Sequence, residues 1–234
     1  MVAITFALPA ESSDFLGLLD VNATPKAPGE SIRGQIHGRP VALLHTGVGE
    51  KSCRRKIGNF LRQQPFKYLI SAGFAGALNQ ELRVGNLLLS ENFSSSELLA
   101  SPQLDLAAEG VFLGKLATVP GIIDAKAERD RWATESGAAA VDMETEFIAA
   151  ACASHRVPML SLRAISDTAS EPFPAPPGVL FDLDKQKTVF GRLAFYLVTH
   201  PGTLPRLQAF RRRIALARRS LTSALDKILH GDLI

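Results

Sequence analysis

Cysteine, aromatic residues and long apolar runs are scarce in this sequence. Of its 234 residues only two are cysteine, and aromatic residues make up 7% of the chain. Two cysteines cannot build a disulfide framework, which favours a reducing compartment, so we expect a cytoplasmic protein. No apolar run approaches the length of a membrane span, and the start, MVAITFALPAE, lacks the basic region of a signal peptide. These absences exclude disulfide-stabilised scaffolds and predict no transmembrane helix.

Metal and nucleotide-cofactor motifs are also missing. The five histidines show no metal-ligand spacing, so we expect no metal. Gly47-Val48-Gly49 follows a predicted strand and opens a predicted helix, but no third glycine completes the dinucleotide fingerprint. We therefore expect no cofactor, and interpret Gly47-Val48-Gly49 as a tight turn beside a sugar pocket.

Basic charge is concentrated at the end of the chain. Residues 204–234 hold seven Lys and Arg side chains and two Asp, whereas the whole chain has a net charge of +3. Apolar residues recur there at helical spacing, which predicts a helix over about 204–229. We favour a terminal helix packed on the core with a solvated basic face; an interfacial helix resting on anionic lipid is the alternative. The helix offers no aromatic platform for nucleic acid.

The order of apolar and amphipathic segments predicts an α/β fold. Predicted strands at 2–8, 68–72 and 159–165 alternate with predicted helices at 12–19, 51–63 and 147–155. This alternation is typical of a three-layer α/β/α sandwich with a mixed, partly barrel-like central sheet. We expect one domain over residues 1–234, a loop over 21–30 and helical structure over 183–199.

Four acidic residues stand where strands and helices are predicted to meet. Asp142 and Glu144 lie just before the helix that starts near Phe147, and Asp167 follows the end of a buried strand. Glu11 follows the first strand. Ligands of open α/β folds gather at the carboxyl ends of strands, so these groups are candidates for one polar site. Taken singly, Glu144 reads as a solvated residue at a helix start and Asp167 as a turn or N-cap residue.

Taken together, the motifs resemble those of the nucleoside phosphorylase and nucleosidase superfamily. The matching blocks are Val141-Asp142-Met143-Glu144, Arg163-Ala164-Ile165-Ser166-Asp167, and the Gly-x-Ala-Gly-x-Leu segment at 73–78 followed by Leu-x-Val-Gly at 82–85. Within the superfamily, Ala7-Leu8-Pro9-Ala10-Glu11 resembles the first strand of 5′-methylthioadenosine/S-adenosylhomocysteine nucleosidases. His200-Pro201-Gly202 and the arginine-rich helix after it show a weaker likeness to hopanoid-associated phosphorylases, which implies phosphorolysis of an adenosylated lipid as an alternative.

The resemblance implies specific roles. Asp167 would protonate the leaving purine, Glu11 would activate water, and Glu144 would bind the ribose hydroxyls. The further residues expected to contact substrate are Asp142, Met143, Ser166, Phe74, Ala75, Gly76, Val48 and Phe173. The implied substrate is a purine nucleoside, with adenine favoured, modified at its 5′ position. The implied assembly is a homodimer.

The identity of the acceptor decides between hydrolysis and phosphorolysis. Ser71 and Phe74 stand at the positions where phosphorylases of the superfamily place a phosphate-binding Arg and Ser. An ionised Glu11 nearby would also repel phosphate. We therefore favour hydrolysis over phosphorolysis, with a non-catalytic nucleoside-binding module as the alternative of another class.

Overall fold

The computed structural model describes residues 1–23, 30–102, 104, 110–171, 173–176, 179, 199–231 and 233. Within them the strands are β1 Val2–Phe6, β2 Asp20–Ala23, β3 Ile32–Ile36, β4 Arg39–His45, β5 Leu69–Ala77, β6 Leu87–Ser90, β7 Val111–Gly114, β8 Leu116–Thr118, β9 Ala140–Asp142 and β10 Met159–Asp167. The α-helices are α1 Pro9–Leu16, α2 Glu50–Leu61, α3 Ser96–Leu99, α4 Lys126–Ser136, α5 Thr145–His155 and α6 Leu204–His230, the last preceded by a 3-10 turn at Pro201–Thr203.

The strands form one mixed sheet in the order β2-β3-β4-β1-β5-β10-β6-β7. Strands β4, β1, β5 and β10 are parallel, whereas β3 and β6 run antiparallel to their neighbours β4 and β10. β10 pairs along one edge of β5; β1 pairs with the first half of the other edge and β9 with its last residues. The predicted mixed sheet is confirmed, and it stays open rather than closing on itself.

Helices cover both faces of this sheet. On one face, α1 and α6 pack against a core that includes Phe6, Phe15 and Leu221; on the other, α2 and α5 enclose Cys53, Phe60 and Cys152. Every residue of β10 is buried, as expected for a strand covered on both faces. The predicted three-layer α/β/α arrangement is therefore confirmed.

The second half of the C-terminal helix α6 packs along the core. Its apolar stripe buries Ala217, Leu221 and Leu225 completely. Arg218 forms an ion pair with Asp14 of α1, 2.8 Å apart. No helix of the described residues is long and apolar enough to cross a membrane.

Two local predictions differ from the structure. Residues 21–30 were expected to be a loop, but β2 covers Asp20–Ala23 and pairs antiparallel with β3. Asp and Asn are poor strand formers, so only the edge pairing with β3 explains this strand. Helix α1 begins at Pro9 rather than Ser12, because proline suits the first helical position and Glu11 caps the N–H of Leu8. The predicted helical segment 183–199 lies outside the described residues except for its last position.

Candidate active site

A cavity of about 350 Å³ opens at the carboxyl ends of the parallel strands β1, β5 and β10. The structure brings all the predicted site residues to its wall: Glu11, Val48, Phe74, Ala75, Gly76, Asp142, Met143, Glu144, Ser166, Asp167 and Phe173. This convergence follows from topology, since parallel neighbouring strands end at the same edge of a sheet. The size falls in the usual range for small-molecule sites, about 300–1,000 Å³.

Glu11 is held rigidly in the first turn of α1. Its Oε2 accepts a hydrogen bond from the N–H of Leu8 at 2.9 Å, and its Oε1 accepts one from the N–H of Phe74 at 3.0 Å. A Cβ at Gly73 would lie 3.3 Å from Oε1, so glycine leaves the space for this carboxyl. Burial raises the pKa of Glu11, although the two N–H donors and Arg163 oppose the shift. A buried carboxyl of raised pKa and fixed direction suits a general base.

Glu144 occupies the N-cap position of α5 and faces the turn after β4. The N–H of Gly49 donates to its Oε1 at 2.6 Å. Gly49 has φ +81°, a left-handed conformation that favours glycine. The Gly47-Val48-Gly49 turn therefore donates an N–H to the carboxyl of Glu144. Burial, with Asp142 adding to it, raises the pKa of Glu144 to about 8.

Asp142 ends β9 rather than starting a helix, and protein donors surround its carboxylate. Nε and Nη2 of Arg163 donate to Oδ2 at 3.1 and 3.0 Å, Thr118 Oγ1 donates to Oδ1 at 2.9 Å, and the N–H of Thr145 donates to Oδ2 at 3.1 Å. Arg163 is itself buried and also donates to the carbonyl of Ser71. Asp142 thus lines the cavity while neutralising and orienting Arg163, a buried residue to which the sequence motif gave no role.

Asp167 lies at a bulge of β10. The pairing register with β5 shifts between Ile165 and Asp167, which is a common way to re-aim side chains beside a site. Ser166 Oγ donates to Asp167 Oδ1 at 2.7 Å, and Arg129 Nη2 donates to Oδ2. Arg129 was not predicted from the sequence. Its helix, α4, is otherwise rich in exposed charged residues, and no motif marks this arginine.

A second, very small cavity of about 10 Å³ lies behind the main one. Glu11, Glu144, Arg163, Thr46 and Gly73 are among its lining residues. A space of this size is close to the minimum for one water molecule, about 10–15 Å³ on this measure. Two carboxyls and a guanidinium therefore converge on a water-sized polar space next to the main cavity.

The outer wall of the main cavity is apolar. Phe173 and Phe210 place their rings 5.5 Å apart, and Ile214 and Ile122 lie near them on the wall. The N–H of Phe173 donates to Asp124 Oδ1 at 3.1 Å, which ties this segment to the loop after β8. The apolar stripe of α6 was predicted correctly, but its first part, at Phe210 and Ile214, faces the cavity instead of the core.

The described part of the main cavity wall carries no basic side chain: none of its lining residues is Lys, Arg or His. The described part of the chain also holds no group of three or more His, Cys, Asp or Glu side chains placed to bind a metal ion.

Comparison with known proteins agrees with this fold. The family profile described as the phosphorylase superfamily matches residues 1–194. The chain belongs to the phosphorylase superfamily.

Individual relatives are distant. A 5′-methylthioadenosine/S-adenosylhomocysteine nucleosidase of Staphylococcus haemolyticus is 25% identical over 189 residues, covering 65% of this chain and 79% of the relative. The solved structure of the Streptococcus pneumoniae nucleosidase with 8-aminoadenine superposes with a TM-score of 0.74 at 18% identity, covering 99% of each chain. Futalosine hydrolase of Helicobacter pylori gives a TM-score of 0.69 at 19% identity, covering 97% of each chain. The chain is similar in fold to these hydrolases.

Proposed function

We propose that the protein hydrolyses the N-glycosidic bond of a purine nucleoside, with adenine the favoured base, modified at its 5′ position. The observation that carries the proposal is the convergence of Glu11, Glu144 and Asp167 on one cavity from three separate elements. Similarity to nucleosidases that act on 5′-modified adenine nucleosides, by their names, supports the same reaction class.

Each carboxyl has a separate task in this reaction. The bond between C1′ and the purine nitrogen breaks, its electron pair goes to the base, and the sugar gains oxocarbenium character. Asp167 gives a proton to the base, Glu144 accepts hydrogen bonds from the sugar hydroxyls, and Glu11 takes a proton from the attacking water. The small cavity beside Glu11, Glu144 and Arg163 supplies a place for that water.

Water is the favoured acceptor because the described residues of the site offer no free cation for phosphate. The described lining of the main cavity contains no Lys or Arg, and Arg163 donates to Asp142 and Ser71. Phosphate is usually held by arginine, lysine or arrays of backbone N–H groups. The Gly49 N–H, which could have served, is already donated to Glu144.

An apolar group at the 5′ position fits the outer wall. The sugar hydroxyls pair with Glu144 and the base lies at Asp167, so the 5′ substituent extends along Phe173, Phe210 and Ile214. Burying apolar surface there stabilises the complex by about 25 cal/mol per Å². A free 5′ hydroxyl would lose water without gaining a partner on this wall.

The direct test is release of free base from a panel of purine nucleosides, with and without phosphate. We expect adenine from 5′-modified adenosines, free ribose derivatives as the second product, and no dependence on phosphate. Glu11→Gln should abolish the hydrolysis, whereas Glu50→Gln, at an exposed position of α2, should not. A ribose 1-phosphate product would establish phosphorolysis instead. Binding without any release would establish the non-catalytic module.

We also propose that the protein works as a cytoplasmic homodimer. Cys53 and Cys152 are both free and buried, which suits a reducing compartment. Light scattering at micromolar concentration should give the mass of a dimer, twice 25.2 kDa. A monomer would contradict this part of the proposal.

A further inference from the structure

Arg129 is the most deeply buried charged residue near the site. It is 1% exposed, although it lies on α4 among exposed charged neighbours such as Asp130 and Arg131. Moving a cation out of water costs several kcal/mol unless it is paired and hydrogen-bonded. The composition of α4 does not dictate which of its long side chains is buried. The burial of Arg129 must therefore be explained by the groups that it contacts.

Its contacts lead to one catalytic candidate. Nη2 donates to Asp167 Oδ2, and Nη1 donates to the carbonyl of Ala77 at 2.9 Å. The second hydrogen bond fixes the guanidinium to the end of β5, so the ion pair has a fixed direction. Arg129 does not line the main cavity, so any effect on substrate passes through Asp167.

β5 is shaped to admit this pair. A Cβ at Gly76 would lie 3.0 Å from Asp167 Oδ2 and 3.2 Å from Arg129 Nη1, both tighter than ordinary contact. The glycine expected to allow close approach of a ligand thus allows close approach of the ion pair. Gly76 pairs with Asp167 in the sheet, so the space left by its missing Cβ lies where the Asp167 carboxyl turns toward Arg129.

The two oxygens of Asp167 therefore have different environments. Oδ2 accepts from Arg129, and Oδ1 accepts from Ser166 Oγ at 2.7 Å. A hydroxyl can rotate its hydrogen away and still accept, whereas a guanidinium can only donate. Oδ2 is consequently a permanent acceptor, and Oδ1 is the oxygen that can carry a proton.

We propose that Arg129 is a positioning residue for protonation of the leaving base. Resting on the function proposed above, it orients Asp167 so that Oδ1 faces the purine, and it stabilises the carboxylate left after proton transfer. In that step the Oδ1–H bond breaks, a new N–H bond forms on the base, and the C1′–N electron pair moves to the base. A guanidinium fixed beside the developing carboxylate lowers the barrier because it needs no reorganisation at that moment.

The experiment compares two leaving groups on wild-type protein, Arg129→Gln and Asp167→Asn. An adenine nucleoside with an apolar 5′ group needs protonation of its base to react, whereas a 4-nitrophenyl β-D-ribofuranoside with the same 5′ group releases 4-nitrophenolate, which leaves as a stable anion. Loss of general acid catalysis costs on the order of 100- to 10,000-fold. We expect Arg129→Gln to lose at least the lower end of that range in kcat on the adenine nucleoside. Its rate on the nitrophenyl riboside should change by less than about threefold, because no proton is transferred to that leaving group. Arg131→Gln, at an exposed position of the same helix, is the matched control.

Non-additivity gives a second readout. If Arg129 acts through Asp167, the double variant should be no slower than Asp167→Asn alone. Arg129→Lys should recover part of the rate, because lysine restores the positive charge but not the fixed pair of N–H donors of the guanidinium. If Arg129→Gln shows no cooperative melting, the same ratio of the two substrates is measured with Arg129→Lys.

The outcomes separate this inference from the proposed function. Equal losses on both substrates, unchanged turnover of the adenine nucleoside, or additive losses would overturn the role of Arg129 while leaving the nucleosidase intact. Wild-type protein that cleaves neither substrate would overturn the proposed function and the role of Arg129 with it.

Discussion

Replacing Glu144 by Gln should abolish turnover and yet stabilise the protein at alkaline pH. The side chain is 8% exposed, and burial together with Asp142 raises its pKa from 4.5 to about 8. Glutamine keeps an oxygen that can accept the N–H of Gly49 but removes the charge. We expect Glu144→Gln to lose the sugar clamp, and hence turnover, while becoming more stable than the wild type at alkaline pH.

The sign and size follow from proton linkage. For a carboxyl whose pKa is raised by folding, the native state holds the proton more tightly than the unfolded chain. Its contribution to stability is present below the unfolded pKa near 4.5 and is lost as pH rises through about 8. Each unit of pH in that window changes stability by about 1.4 kcal/mol. Between pH 6 and pH 9 the wild type should therefore lose roughly 3 kcal/mol that Glu144→Gln keeps.

Thermal unfolding at pH 6, 7, 8 and 9, at constant ionic strength and scan rate, measures this difference. For a chain of this size, 1 kcal/mol corresponds to about 2–4 °C in Tm. The Tm advantage of Glu144→Gln over wild type should grow by roughly 6–12 °C across the range. Glu11 is present in both proteins, so the comparison isolates the loss of the Glu144 carboxyl together with its repulsion of Glu11. Glu146→Gln, at an exposed position of the same helix, should show no such trend. Parallel Tm curves for Glu144→Gln and wild type would refute the reasoning.

Three further predictions follow from the geometry. Asp167→Asn should lower turnover of adenine nucleosides on the order of 100- to 10,000-fold while calorimetry still detects their binding; near wild-type turnover would contradict its role as acid. Gly76→Ala places a Cβ 3.0 Å from Asp167 Oδ2, so kcat should fall while cooperative melting is retained, and an unchanged kcat would show that the ion pair does not matter. The basic helix α6 packs on the core, so the protein should not float with anionic vesicles; salt-sensitive flotation would favour the interfacial alternative.

The main cavity could be predicted from sequence because chain order alone brings its parts together. Glu11, Gly76 and Asp167 each follow an apolar run that had to be a buried strand. Three parallel neighbouring strands end at the same edge of the sheet, so the order of the elements was enough to place these residues close together. The same argument fails for Asp142, which ends a three-residue strand too short to have a periodic signal.

Arg129 and the first part of α6 could not be predicted for a different reason. Helix periodicity shows which residues share a face but not what that face meets. Phe210 and Ile214 belong to the same stripe as Leu221, and only the placement of the helix divides the stripe between cavity and core. α4 has too few apolar residues to define an inner face, so the burial of Arg129 depends on a partner 38 residues away.

The buried arginines affect how protons are distributed among the carboxyls of the site. Among the described residues around it, the ionisable groups are four carboxyls and two guanidiniums, all buried: Glu11, Asp142, Glu144, Asp167, Arg129 and Arg163. Each aspartate has an arginine of its own, whereas burial raises the pKa values of both glutamates, so each of them resists ionisation. A positive charge arriving at the sugar position makes ionisation of a glutamate favourable again. Binding of a cationic sugar analogue should therefore expel a proton into solution, and its affinity should rise with pH, whereas a neutral analogue of the same shape leaves the proton where it was.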